Sequence, residues 1–474
     1  MTDHLPDQVV TYAAPEGTEA SDLYTLEVAG RKVWVHPARV SAMPVNQVWP
    51  GYQRPQDQTE MAAFAYVDLE GPAKVVLESS RDVDEVAVRP LSLGIVPNVQ
   101  GNTIRFSLPG PSHVVVEVNG WHHAFHLFAS PIEEDPPDPT DPNLRYFGPG
   151  IHHAGEIVLR SGESVYIHGG AIVYGAIHAE NAHDIKILGR GILDSSEIKR
   201  FDMEPTVFLD RCQDAEIRGI VLRDPHVWTV VPAMCERVTI SDLKLIGLWR
   251  YNADGIDIVN CRDVTIEDCF VRSFDDSIVL KGFNRYRDTP SDDLPVVEDV
   301  VARGCTIWND WGRALEIGAE TQVDHIRDVV FEDCDIVHHV HIAMDIQNGD
   351  RADVSDVVFR DIRVEDAIVE HGRIAETDIP PSELGRLIEM IIRETPYSKD
   401  SERGRIHDIR FENISVVGEP FPESRFIGHD DDHRVEDITI RNLCIQGEQM
   451  ETPGQAAFAM NPYTRDIRLL GPES

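Results

Sequence analysis

The chain has 474 residues, 42% of them hydrophobic and 26% charged, with a mean hydropathy of −0.25, a soluble globular composition with apolar material for a sizeable core. Its 43 Lys and Arg against 82 Asp and Glu leave a net charge of −39, a field that repels phosphate backbones, anionic lipid head groups and polyanionic sugars and argues against nucleic acid and membrane as partners. The opening MTDHLPDQVVTYAAPEG has no basic or apolar leader segment, and no apolar run reaches the roughly eighteen residues of a membrane span; this predicts a cytoplasmic protein, or a secreted one if a leader was trimmed.

Residues 20–130 hold short apolar or alternating runs (LYTLEVAG, KVWVHP, AAFAYVDL, AKVVLES, TIRFSL, HVVVEV) punctuated by Gly, Pro and Asn. This is the pattern of an antiparallel β-sandwich, assigned to residues 1–131. The stretch IEEDPPDPTDPN, residues 132–143, is a Pro/Asp-rich linker. The sandwich is expected to cap an open end of the domain that follows, residues 144–474.

In that second domain a ten-residue pattern recurs. Its copies start at Ile185, Ala215, Val238, Val264, Val300, Val329, Val357, Ile409 and Ile438, at steps of 30, 23, 26, 36, 29, 28, 52 and 29. A period in this range marks a solenoid, and the β-branched strand, polar corner and second strand of each copy predict coils of a right-handed parallel β-helix. Cys269, Cys305 and Cys334 share the sixth position, while Cys212, Cys235 and Cys261 each stand three residues before a copy. Dispersed in this way, and with Cys444 lacking any CxxC partner, the seven cysteines read as buried core residues, not as disulfides or a zinc site. The 52-residue step contains PPSELGRLIEMIIRET, where Leu384, Leu387, Ile388, Ile391 and Ile392 have the spacing of a short amphipathic helix on an inserted excursion.

The chemistry concentrates in two consecutive coils, LWRYNADGIDIVN at 248–260 and VRSFDDSIVLKG at 271–282. Asp254 and Asp275 are 21 residues apart, about one coil, which stacks them on neighbouring rungs about 4.8 Å apart, and Asp276 adds a third carboxylate. Crowded acids cannot all ionise, so at least one holds its proton near neutrality. A protonated acid beside a carboxylate base is what glycosidic cleavage needs. Taken singly, such residues are also common backbone-bonding turn aspartates.

Asn252-Ala253-Asp254-Gly255-Ile256-Asp257, Asp275-Asp276 and Gly312-Arg313-Ala314-Leu315-Glu316-Ile317-Gly318 resemble three successive signatures of the polygalacturonase family of glycoside hydrolases (family 28). Asp224-Pro225-His226-Val227-Trp228-Thr229-Val230 resembles the strand ahead of them. The preceding sandwich and the stretch YFGPGIHHAG…VYIHGGAIVYG are more similar to the related dextranase and isopullulanase family (family 49), on the same pectin-lyase-like β-helix. The resemblance implies an all-β, two-domain inverting hydrolase with no cofactor. It implies Asp275 as general acid, and Asp254 and Asp276 as the residues that hold and deprotonate water.

Two departures bear on the substrate. Arg313-Ala314 replaces the family's His-Gly, and Asp345-Ile346-Gln347 stands where an Arg-Ile-Lys clamp for a uronate carboxylate falls. With the acidic net charge, this predicts a neutral glycan or oligosaccharide. Asn252, Arg313, Lys281, His226, Trp228, Trp249, Tyr251, Trp311, Asp345 and Gln347 are the candidate sugar-binding residues, with Arg250 and Trp308 beside them. His338, His339 and His341 lack a metal-ligand spacing. A polysaccharide lyase or transferase on the same solenoid, and a carbohydrate-binding protein without turnover, remain as alternatives.

Overall fold

The computed structural model describes residues 9–42, 53–285, 295–365, 385–418 and 423–472. The N-terminal strands form two sheets. One contains Val9–Thr11, His36–Ser41, Thr59–Leu69, Val86–Arg89, Ser112–Val118 and Phe125–Pro131; the other contains Tyr24–Val28, Arg31–Val33, Ala73–Ser79, Asn98–Gln100 and Thr103–Leu108. Alternation sets which side chains point inward: along Ala73–Ser79, Ala73, Val75 and Leu77 are buried and Lys74 and Glu78 exposed. These meet Phe125 and Leu127 of the other sheet in one core, so the sheets pack as a sandwich. Its pairings are antiparallel except that Phe125–Pro131 runs parallel to Thr59–Leu69.

From Leu144–Phe147 to Ile467–Leu470 the described residues form one sheet of 31 strands, parallel except for a final hairpin turn. The fold is therefore all-β, a parallel β-helix behind an N-terminal sandwich. The nine starts of the sequence repeat pair in a single unbroken register from Ile185 through Val264 and Val300 to Ile438. Inside, like stacks on like. Phe359 lies between Phe331 and Phe411 at centroid distances of 4.9 and 4.8 Å, and Cys212, Cys235 and Cys261 form a ladder in which each backbone N–H meets the next sulfur at 3.3 and 3.2 Å. The coil corners bend through the left-handed region, and Asp or Asn holds most of those positions (Asp214, Asp263, Asp328, Asp356 and Asn442 among them). Short polar side chains tolerate that backbone and bond locally to it.

Two expectations are corrected. The segment Arg386–Ile392 is a strand, fully buried and paired with Ile342–Asn348, not a helix. A strand covered on both faces is a continuous apolar run, which also satisfies a helical spacing over so short a length. Leu384 and the rest of 366–384 lie outside the described residues. The sandwich, in turn, does not sit on an open end. It packs along the flank of successive coils, where Phe64, Tyr66, Val115 and Phe128 meet Ile172, Val221, Ile246, Phe270, Trp308 and Val337. Arg272 lies 3.8 Å over the Trp308 ring and pairs with Asp310 at 3.2 Å within this contact.

Candidate active site

Asp254 stands two residues before the strand Ile256–Val259, and Asp275 and Asp276 precede Ile278–Gly282 on the next rung. Corner residues lie outside the ladder, so their side chains project from the solenoid while the flanking strands fix their backbone. The Asp275 carbonyl accepts from Ser273 Oγ and Asn309 Nδ2, both at 2.7 Å, and Ser273 Oγ lies 2.8 Å from Ser277 Oγ. Gly312 passes so close that a Cβ there would stand 2.5 Å from the Asp275 carbonyl carbon and from the Asp276 nitrogen. Its N–H donates to Phe274 O at 3.1 Å.

An oxygen of each of Asp254, Asp275 and Asp276 lies within 4.8 Å of the other two. All three line a cavity of about 490 Å³. The register is one residue from the expected stacking: Ile256 pairs with Ile278, which sets Asp254 against Asp276 and not Asp275. Two cations of the protein lie against the cluster. Lys281 Nζ lies 3.5 Å from Asp276; Arg313 donates its backbone N–H to Asp276 Oδ1 at 3.2 Å and brings its guanidinium within 3.7 Å.

The protonation states separate accordingly. Burial and the adjacent Asp276 charge push Asp275 up to about 7. Burial acts in the same direction on Asp276, but Lys281 and Arg313 outweigh it and hold that carboxyl below its ordinary value. Asp254 is pushed well up by burial and by Asp257, Asp275 and Asp276. The geometry thus offers a proton donor, a carboxylate acceptor and a neutral hydrogen-bonding carboxyl at one point.

Of the remaining candidates, Asn252, Trp228, Trp311, Lys281, Arg313 and Gln347 line the cavity. Asn252 donates to Asp275 Oδ2 at 3.4 Å and accepts from Arg200 at 2.6 Å. Asp345 is behind the wall, fully buried, 3.3 Å from Arg313, and pushed up to about 8 mainly by burial. His226 is enclosed against the Glu204 carbonyl at 3.1 Å. Trp249 donates to Asp224 at 2.9 Å, and Arg250 pairs with the same carboxylate. Tyr251 packs in the core at 6.0 Å from Trp311. None of these five lines the cavity, and Trp308 belongs to the contact with the sandwich. The histidines disperse: His338 pairs with Glu117 of the sandwich, while His341 reaches the cavity.

Sequence reading missed the far wall. Glu316 and Glu320 on one coil, Arg386 and Glu389 two coils on, then Arg393, Glu394, Tyr397 and Arg425 are among the residues of that wall. Glu316 lay inside a quoted motif. Arg386 and Glu389 lay in the stretch misread as a helix, and Glu320, Tyr397 and Arg425 carried no signal.

Residues 194–386, which include all three aspartates, match the glycosyl hydrolases family 28. A probable polygalacturonase from Vitis vinifera is 28% identical over 122 residues, 25% of this chain and 24% of that protein, so the chain spans about a quarter of the length of this curated relative. Dex49A from Penicillium minioluteum superposes with a TM-score of 0.66 over 97% of this chain and 96% of its own at 15% identity, a likeness of fold that includes the sandwich. A hyperthermoactive exopolygalacturonase from Thermotoga maritima matches 70% of this chain and 84% of its own, with a TM-score of 0.49 at 16% identity. The matched segment and its aspartate-lined cavity are thus similar to family 28 of the glycosyl hydrolases, and the chain as a whole shares the fold of Dex49A.

Proposed function

We propose that this protein hydrolyses glycosidic bonds of a neutral glycan or oligosaccharide, with Asp275 as acid and Asp276 as base. The observation that carries the reading is the opposite protonation of two adjacent carboxyl groups in one cavity. In the proposed step Asp275 gives its proton to the glycosidic oxygen as the C–O bond breaks. A water oxygen bonds to the anomeric carbon and Asp276 takes the proton that water releases. Asp254 holds that water by hydrogen bonding. Displacement by water in one step inverts the anomeric centre. Inversion rests on the family resemblance: the oxygens lie within 4.8 Å, closer than the roughly 6.5–9.5 Å of a two-carboxylate inverting site. Proton NMR of the first-formed anomer decides the point, and a retained anomer would make one aspartate a nucleophile.

A neutral substrate is supported by the acidic lining, in which Glu316, Glu320, Glu389 and Glu394 join the three aspartates, and by Asp345 and Gln347 in place of the cationic clamp. One observation favours a second reading, an anionic glycan: Arg393 enters the cavity wall exposed and with no ion pair among the described residues. Reducing-sugar release across α-glucans, arabinans, fructans, galactans and polygalacturonate, with Asp275→Asn beside the wild type, separates the two. Release of an unsaturated product absorbing in the ultraviolet would instead indicate a lyase. Glycan binding without turnover in the wild type would indicate a binding protein.

A further inference from the structure

Lys281 was expected to bind sugar, yet its side chain is 5% exposed and already committed. It ends the strand Ile278–Gly282, whose pairing with Ile256–Val259 fixes where its stem begins. From there Nζ reaches three carboxylates: Asp276 at 3.5 Å, Glu320 at 3.6 Å and Asp257 at 3.9 Å. Its ammonium also lies 5.1 Å from the centroid of Trp228, whose face closes that side. Asp257 is fully buried and neither of its oxygens has a hydrogen-bond partner, so Lys281 is the cation nearest to it in this network. A buried ammonium surrounded by carboxylates stays charged, and its one hydrogen bond among the described residues goes to Asp276 at 3.5 Å.

We propose that Lys281 is a positioning residue, fixing Asp276 as the carboxylate that receives the proton from water, from a buried position between Asp276, Glu320 and Asp257. The inference rests on the hydrolase reading given above. The charged and titratable groups facing Asp276 from the packed coils are Asp254 and Asp257 on one rung, Asp275 and Lys281 on its own, and Arg313, Glu316 and Glu320 on the next. Of the cations, Arg313 is shared with Glu316 at 3.9 Å and Asp345 at 3.3 Å. Removing Lys281 therefore leaves Asp276 with a divided counter-ion among mostly acidic neighbours.

The test uses Lys281→Met and Lys281→Arg in the full chain labelled with carboxyl-¹³C aspartate, the Asp276 resonance being assigned by its loss in Asp276→Asn. We expect the Asp276 titration midpoint to rise by about one pH unit or more in Lys281→Met and to return in Lys281→Arg. With a hydrolysed substrate in hand, kcat should fall about 100-fold with KM little changed. Both limbs of the pH profile should move upward, because Asp275 also loses a nearby positive charge. An unmoved Asp276 midpoint overturns the proposal, as does a tenfold rise in KM with an unmoved pH profile, the result for a sugar-binding lysine. Where Lys281→Met does not melt cooperatively, Lys281→Gln takes its place. The NMR midpoint needs no turnover, so it judges this proposal even if no glycan is hydrolysed and the hydrolase reading fails.

Discussion

Asp254 and Asp276 face each other across one rung of the solenoid: Ile256 pairs with Ile278, and the Gly255 N–H donates to the Asp276 carbonyl at 2.8 Å. The ladder itself thus sets the spacing of the proposed base and the proposed water-holding carboxyl, leaving Asp275 to complete the cluster from the same corner as Asp276. Four expectations follow from this arrangement and its supports.

Asp275→Asn should reduce turnover by about 10²–10⁴-fold and leave the fold intact. Its stability effect has a definite sign. The folded state raises the Asp275 carboxyl to about 7, so the wild type loses stability as pH rises through that value, and the neutral amide does not. Thermal melts at pH 5 and pH 8 should show a smaller loss in the variant; an equal loss in both proteins would refute the assigned protonation.

The rate profile should fall on the alkaline side. As the proposed acid, Asp275 must carry its proton to protonate the leaving oxygen, so kcat/KM should decline above about pH 7. The acid limb, set by Asp276, should lie below the ordinary carboxylate value because Lys281 and Arg313 hold that group ionised against the effect of burial. Initial rates across pH 3–9 in constant ionic strength check both limbs.

Gly312→Ala should cost activity while leaving the three aspartate side chains themselves unsubstituted. The added Cβ would stand 2.5 Å from the Asp275–Asp276 peptide and 2.8 Å from Asp276 Oδ1, and the corner must shift. A displacement of about 1 Å is enough for a roughly 100-fold loss. Wild-type turnover in this variant would show that the corner does not hold the carboxyls in register.

Glu117→Gln should reduce the acid sensitivity of the fold. Glu117 of the sandwich pairs with His338 of the solenoid and with Arg89 at 2.9 Å, and these partners outweigh burial and lower it to about 2. That contribution, on the order of 3 kcal/mol, is present above the ordinary carboxylate range and disappears as pH falls toward 2. Urea midpoints at pH 7 and pH 3.5 should differ less in the variant than in the wild type.

The solenoid was legible because its repeat is a register: the residue at each start, β-branched in all but Ala215, pairs with the next start. The three aspartates were legible because they stand about one coil apart in the quoted motifs. Parity at the corners was not, since side chains alternate only within strands. Trp249, Tyr251 and His226 are close to Asp254 or Trp228 in the sequence, yet turn inward or onto neighbouring loops. The wall formed by Arg386, Glu389 and Arg393 depended on knowing that 386–392 is a rung, and a fully buried strand has no alternation by which to recognise it.

The left-handed corners also bear on the acidity of the molecule. Fourteen aspartates among the described residues occupy that conformation, where turn chemistry favours Asp and Asn over nearly every other side chain. A large part of the −39 charge is therefore a by-product of how a parallel coil turns, spread around the periphery and screened within about 10 Å at moderate salt. Net charge is accordingly a poor guide to what enters the cavity. Replacing exposed corner aspartates such as Asp214, Asp328 and Asp356 by asparagine would keep the turns, change the overall charge, and leave substrate choice to the few groups that line the site.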